Sequence, residues 1–249
     1  MWTVFLNGGT LAINSAFDRD EGDIGYLDNP PPVPHGLAWF SVGLMAAGCA
    51  FSWFLLPRGF SWAIIACTLL SLLYSVPPVR LKAVAGADLL VNMAGYGALT
   101  FGAGALATGA ITADVPHLGR MVAFLSLSFG FLFGAFYPMT QIYQIPEDMA
   151  RGDRTLVVRL GARRALRLSL AMVVAAMVAQ LSSTTPGRLE LQAAGFFGVL
   201  FWACLWCVFT GDWLRRLDVY PHKKGMYRAL KLWGLTDVAT VVVFGFLAG

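Results

Sequence analysis

Apolar runs broken by short polar segments set the pattern of this chain. Segments 37–56, 59–79, 121–146, 168–187 and 191–211 carry no charge, and neither does 1–17. Segment 83–113 carries one charged residue, Asp88, and 232–249 carries one, Asp237. Each run approaches the roughly 20 residues a helix needs to cross the hydrocarbon of a bilayer, the first only marginally. The pattern predicts an all-α, polytopic transmembrane bundle of about eight helices, forming a single integral-membrane domain over 1–249. No sizeable soluble domain fits, so an active site must be built in or against the membrane.

Composition agrees. The 249 residues are 57% hydrophobic and 13% charged, with a mean hydropathy of +0.66, against about 25% charged in ordinary soluble domains. Segment 1–17 lacks the basic start of a signal peptide. With eight spans, fifteen of the eighteen Lys and Arg residues fall in loops on one side, leaving Arg58, Arg120 and Arg188 on the other. That asymmetry predicts a cytoplasmic basic face. The net charge of +4 therefore implies attraction to membrane lipid headgroups and phosphorylated ligands, and nucleic acid is not expected as a partner. Cys49, Cys67, Cys204 and Cys207 lie within spans and read as helix-packing residues. Trp202, Trp206 and Trp213 read as an interfacial belt, and Asp237 as hydrogen-bonded within the bundle.

The acidic residues are less evenly spread. Asp18, Asp20, Glu21, Asp23 and Asp28 crowd one loop, and Glu147, Asp148 and Asp153 a second, together eight of fourteen. Four spans separate the loops, so parity places both on one side, along with Arg80 and Lys82 after the Pro77-Pro78 helix stop. Asp88 and Asn92, four apart on one helical face, either hydrogen-bond between helices or line a site. Facing carboxylate clusters suit Mg²⁺, which takes few protein carboxylates and completes its shell with water and substrate phosphate. Arg80, Lys82, Arg151 and Arg154 would neutralise remaining phosphate charge. A lipid-tailed diphosphate fits such a head site above apolar helices.

Three ordered motifs carry a resemblance to the UbiA-type intramembrane prenyltransferases. NSAFDRDEGDIG resembles their first Asp-rich motif, NDxxDxxxD, with Ser15 in place of its second acid and Gly22 where its last Asp falls. IYQIPEDMARGDRTLVVRLG resembles the second motif, and YSVPPVRLK followed by GADLLVNMAGYG resembles the segment between them. The family has a helix before the one that leads into its first motif, and this resemblance implies that such a leading helix is missing here.

The resemblance further implies Mg²⁺-dependent transfer of a prenyl chain from prenyl diphosphate to an acceptor, with an aromatic quinone precursor expected as in bacterial inner-membrane members. Asp18 and one of Asp20, Glu21 and Asp23 would hold one metal ion. Asp148 and Asp153, with Glu147 in the candidate set, would hold a second. Asp18, Asp148 and Asp153 are the implied catalytic acids. Asn14, Arg80, Lys82, Asn92 and Arg154 would meet substrate, and Tyr143, Tyr137 or Tyr96 would steady an allylic cation or simply pack. The alternative is a non-catalytic membrane protein that binds a lipid diphosphate.

Overall fold

The computed structural model describes residues 1–18, 31–108, 116–183 and 189–248. The described residues are helical apart from turns and one isolated bridge between Val84 and Arg154. A π-helical turn, Trp2–Asn7, leads into α1 (Gly8–Asp18); α2 (Leu37–Leu55) and α3 (Arg58–Ser75) follow. α4 (Ala87–Ala107) contains a π-helical stretch, Met93–Leu99. α5 (Pro116–Gln141) continues through a 3₁₀ turn, Ile142–Gln144, into the short α6 (Ile145–Arg151). The last three are α7 (Leu156–Ser183), α8 (Leu189–Arg215) and α9 (His222–Ala248). Among the described residues, a helix thus occupies each of the eight apolar runs.

Six candidate spans are long and apolar enough to cross a membrane among the described residues. Trp39, Phe54, Trp62, Phe201 and Val208 stand more than half exposed, a surface that suits hydrocarbon rather than water. With every described backbone segment of these spans helical, its polar groups are satisfied internally, as a bilayer demands. The chain is an integral membrane protein.

The chain divides into two compact units, one of residues 1–82 and 103–110, the other of 83–102 and 111–249. In the first unit, α1, α2 and α3 pack closely where small residues allow it. A Cβ on Gly9 would meet Met45 Cγ at 2.4 Å, and one on Gly48 would meet Phe5 Cβ at 2.6 Å. Thr10 and Ser71 share a buried hydrogen bond of 2.7 Å that ties α1 to α3.

The second unit is built on α5 and α7. α4 crosses α5 so closely that a Cβ on Gly97 would fall 2.5 Å from Gly130 Cα, which makes glycine obligatory at this backbone-to-backbone contact. The expected tryptophan belt is not formed. Trp202, Trp206 and Trp213 are all buried, because neighbouring helices supply partners for their indole N–H groups. Trp202 donates to Gln180 (3.1 Å), whose own amide donates to Thr240 (2.9 Å), and Trp206 donates to Thr236 (3.1 Å). Cys204 and Cys207, expected to pack between helices, lie on the exposed side of α8, while Cys67 is buried. Asp237 also departs from expectation, its buried Oδ1 having no hydrogen-bond partner among the described residues.

Candidate functional site

In the first unit, Asp18 ends α1 and Asn14 lies one turn earlier. α3 stops at Ser75 because Pro77 and Pro78, joined by a cis peptide, cannot continue it. The chain then turns through Arg80, held at φ 40°, a region costly for a residue with a side chain. Lys82 follows in a 3₁₀ turn and is buried. The result is one tight cluster. Lys82 Nζ binds Asp18 directly and donates to Asn14 Oδ1 at 3.1 Å. Arg80 lies 3.6 Å from the same Asp18 oxygen, and Ser75 Oγ donates to Asn14 Oδ1 at 3.2 Å. A carboxylate this enclosed is tolerable only with such compensation.

The second motif forms a cluster in the second unit. α6 ends on Gly152 at φ 76°, the left-handed cap that glycine adopts without strain. That cap sends the Asp153 N–H back to the Asp148 carbonyl at 2.9 Å and sets both side chains beside Arg151. Arg151 bonds Asp148 Oδ1 at 3.0 Å and lies 3.7 Å from Asp153 Oδ2. Both carboxylates are buried. Thr155 caps α7 by accepting from the Val158 N–H at 3.3 Å, and its hydroxyl lies 3.4 Å from Asp148 Oδ2. Glu147 is exposed and pairs with Arg151 at 3.2 Å.

Asp88 is the residue whose role sequence left open. It is completely buried. Its Oδ1 accepts from the Gly86 and Leu89 N–H groups and its Oδ2 from the Leu156 N–H, each at 2.8 Å. Arg154 N–H also reaches the Ala83 carbonyl at 3.2 Å. Asp88 therefore fixes the start of α7 against the start of α4 and holds the loop bearing Asp153 between them. A lone acid at the head of an apolar run was the available signal. Asn92, expected to meet substrate, donates to the Asp88 carbonyl at 2.8 Å. Tyr143 is half-buried, its hydroxyl accepting from Gln144 at 3.1 Å. Tyr96 stacks on Phe133 with ring centres 5.3 Å apart, and Tyr137 is buried. Arg154 is exposed. Asp20, Glu21 and Asp23 lie outside the described residues.

A divalent cation is chemically compatible with the second cluster. Two buried carboxylates flank the Arg151 guanidinium and present the hard oxygens that such a cation takes. Among the described residues no three Asp, Glu, His or Cys side chains converge on a metal position. Mg²⁺ needs no such cage, binding through one or two carboxylates plus water and phosphate.

The sequence model of the UbiA prenyltransferase family matches residues 1–235. A digeranylgeranylglyceryl phosphate synthase of Methanothrix thermoacetophila is 28% identical over 197 residues, covering 77% of this chain and 67% of the relative. Its namesake from Natronomonas pharaonis is 32% identical over 193 residues, covering 76% and 64%. A third, from Thermococcus kodakarensis, is 29% identical over 187 residues, covering 71% and 61%. The matched region thus spans about two thirds of these relatives. In structure, the chain resembles a UbiA homolog from Archaeoglobus fulgidus bound to DMAPP and Mg²⁺, with a TM-score of 0.68 and 19% identity over 97% of this chain and 84% of the other. The same homolog bound to GPP and Mg²⁺ gives 0.63 and 18%, over 97% and 84%. At that identity the likeness establishes the fold.

Proposed function

Because the chain belongs to the UbiA prenyltransferase family, we propose that it transfers a prenyl chain from a prenyl diphosphate to an acceptor, with Mg²⁺, releasing diphosphate. The whole chain, 1–249, acts as one prenyltransferase domain in this reading. The observation that carries it is the pair of buried carboxylates, Asp148 and Asp153, held on one arginine. Mg²⁺, when bound, supplies Lewis-acid stabilisation of the departing diphosphate.

The protein's own groups do the rest. Asp18 with one of Asp20, Glu21 and Asp23 would hold one metal ion, and Asp148 and Asp153, with Glu147 as a further candidate, would hold a second. Arg80 and Lys82 exchange part of their pairing with Asp18 for diphosphate oxygens, and Arg154 contributes positive charge from the surface. Asn14 orients the diphosphate. Tyr143 stands at the head of the second motif, where its ring is available to an allylic cation. Apolar surroundings protect that cation from water.

For the acceptor, the names of the curated relatives favour a glyceryl phosphate lipid. They lend no support to the aromatic quinone precursor that the resemblance implies. All three relatives are archaeal, so the bacterial inner-membrane assignment has no support from them either; cytoplasmic active-site loops rest on the Lys/Arg asymmetry. The test is to incubate purified protein with geranylgeranyl diphosphate and, in parallel, a geranylgeranylglyceryl phosphate and 4-hydroxybenzoate. Prenylation of the glyceryl phosphate lipid, dependent on Mg²⁺, is expected. Prenylation of the aromatic acid alone would reverse the acceptor assignment, and binding of prenyl diphosphate without turnover on either acceptor would favour the non-catalytic alternative.

A further inference from the structure

One basic segment remains outside the prenyl diphosphate machinery. The turn before α9 is built around Trp213, whose ring stacks on Tyr220 with centres 4.9 Å apart. The indole N–H donates to His222 Nδ1 at 3.0 Å. Gly225 is confined beneath that ring, since a Cβ there would fall 2.6 Å from Trp213 Cη2. Arg228 bonds the Tyr220 hydroxyl at 3.3 Å, and Arg216 pairs with Asp212 while lying 5.5 Å from the Tyr220 ring. These contacts consume two arginines in bracing the turn and fix where the next side chains point.

His222, Lys223 and Lys224 follow on α9. Burial lowers the His222 pKa, so its ring is neutral near pH 7. With Nδ1 accepting from Trp213, the proton sits on Nε2, which becomes a donor. Lys223 and Tyr227 are four apart, hence on one face of α9. That helix packs against the turn Ile142–Gln144, and Tyr143 of that turn lies within electrostatic reach of Lys223, Tyr227 and Glu147. Lys223 and Tyr227 therefore face the lead-in to the second acidic motif. Lys224 is exposed and adds a second positive charge.

We propose that Lys223, aided by Lys224 and Tyr227, binds the phosphate of a phosphorylated, lipid-tailed acceptor beside the second motif. The inference rests on the prenyl-transfer reading and assigns acceptor recognition to α9. Two ammonium groups match a phosphate monoester dianion, and a phenol hydroxyl supplies a further donor. The apolar run of α9 from Leu232 onward, which carries one charged residue, Asp237, provides a path for the lipid tail.

The test compares wild type with the double variant K223Q/K224Q, taking R163Q/R164Q on exposed positions of α7 as a control for overall charge. Binding to the purified, detergent-solubilised protein is titrated with hexadecylglycerol phosphate, hexadecylglycerol, tail-free glycerol phosphate and inorganic phosphate. Thermal melts identify any variant that misfolds, and Y227F provides a milder probe that retains the ring. Wild type should prefer the phosphorylated lipid to all three others. K223Q/K224Q should weaken it at least tenfold, Y227F severalfold and R163Q/R164Q hardly at all, with the KM for geranylgeranyl diphosphate unchanged.

Equal binding of hexadecylglycerol would overturn the proposal, as would an equal loss in the charge control or in the KM for prenyl diphosphate. Inorganic phosphate binding as tightly as the lipid would reduce the site to one for free phosphate and overturn the lipid assignment. Failure of the underlying reading looks different: wild type would transfer no prenyl group to any acceptor, whatever it binds.

Discussion

The two motif clusters solve the burial of acid in opposite ways. Around Asp18, cations arrive from more than sixty residues away, and Lys82 touches both Asp18 and Asn14. Around Asp148, the counterion and partners come from the same short stretch, Arg151, Asp153 and Thr155. The long-range element there is a scaffold instead, the Asp88 carboxylate gripping Leus89 and 156 through their backbone N–H groups. The first cluster depends on tertiary packing to neutralise its acid. The second is shaped by a local turn, which tertiary packing then fixes in place.

That contrast can be broken experimentally. Lys82→Ala should have the largest effect on stability, because among the described residues it leaves the enclosed Asp18 with the more distant Arg80 as its cation; removing one partner of a buried pair costs about 3–5 kcal/mol. Chemical denaturation in detergent reads this, and Asp18→Asn combined with Lys82→Met should recover much of the loss. Asp148→Asn should leave the fold intact and lower turnover by about 10²–10³-fold, the scale of removing one group that stabilises transition-state charge. Steady-state diphosphate release measures it.

Asp88→Asn tests the scaffold. One amide nitrogen would face a backbone N–H that now donates to a carboxylate oxygen, costing roughly 1–3 kcal/mol. A lower melting temperature accompanied by reduced turnover is expected, although Asp88 touches no substrate in this account. Glu147→Gln should be nearly silent in stability, within about 0.5 kcal/mol, since its pair with Arg151 is exposed. A large loss of turnover in that variant would move Glu147 into the metal-binding set.

Legibility in the sequence followed the range of each interaction. Apolar run lengths placed the long helices among the described residues, and the crowding of Glu147, Asp148 and Asp153 placed the second cluster in one segment. Arg80 and Lys82 were found through chemistry and motif resemblance, but Ser75, which completes the Asn14 contacts, had no signal. Asn92 stood open between hydrogen bonding and lining a site, and the structure adds a bond from its amide to the carbonyl one turn back. The tryptophans did mislead. Position near a span end favours an interface, yet Gln180, Thr236 and Thr240 on other helices give Trp202 and Trp206 buried partners that no local pattern reveals.

The central claim is that the buried acids create a metal-dependent diphosphate site, and binding of an unreactive prenyl thiodiphosphate tests it most directly. Titrated into wild type, the analogue should bind at least tenfold more tightly with Mg²⁺ than with EDTA, and Asp148→Asn with Asp153→Asn should abolish that difference. Equal affinity with and without Mg²⁺ in wild type, or an undiminished Mg²⁺ effect in the double variant, would contradict the account.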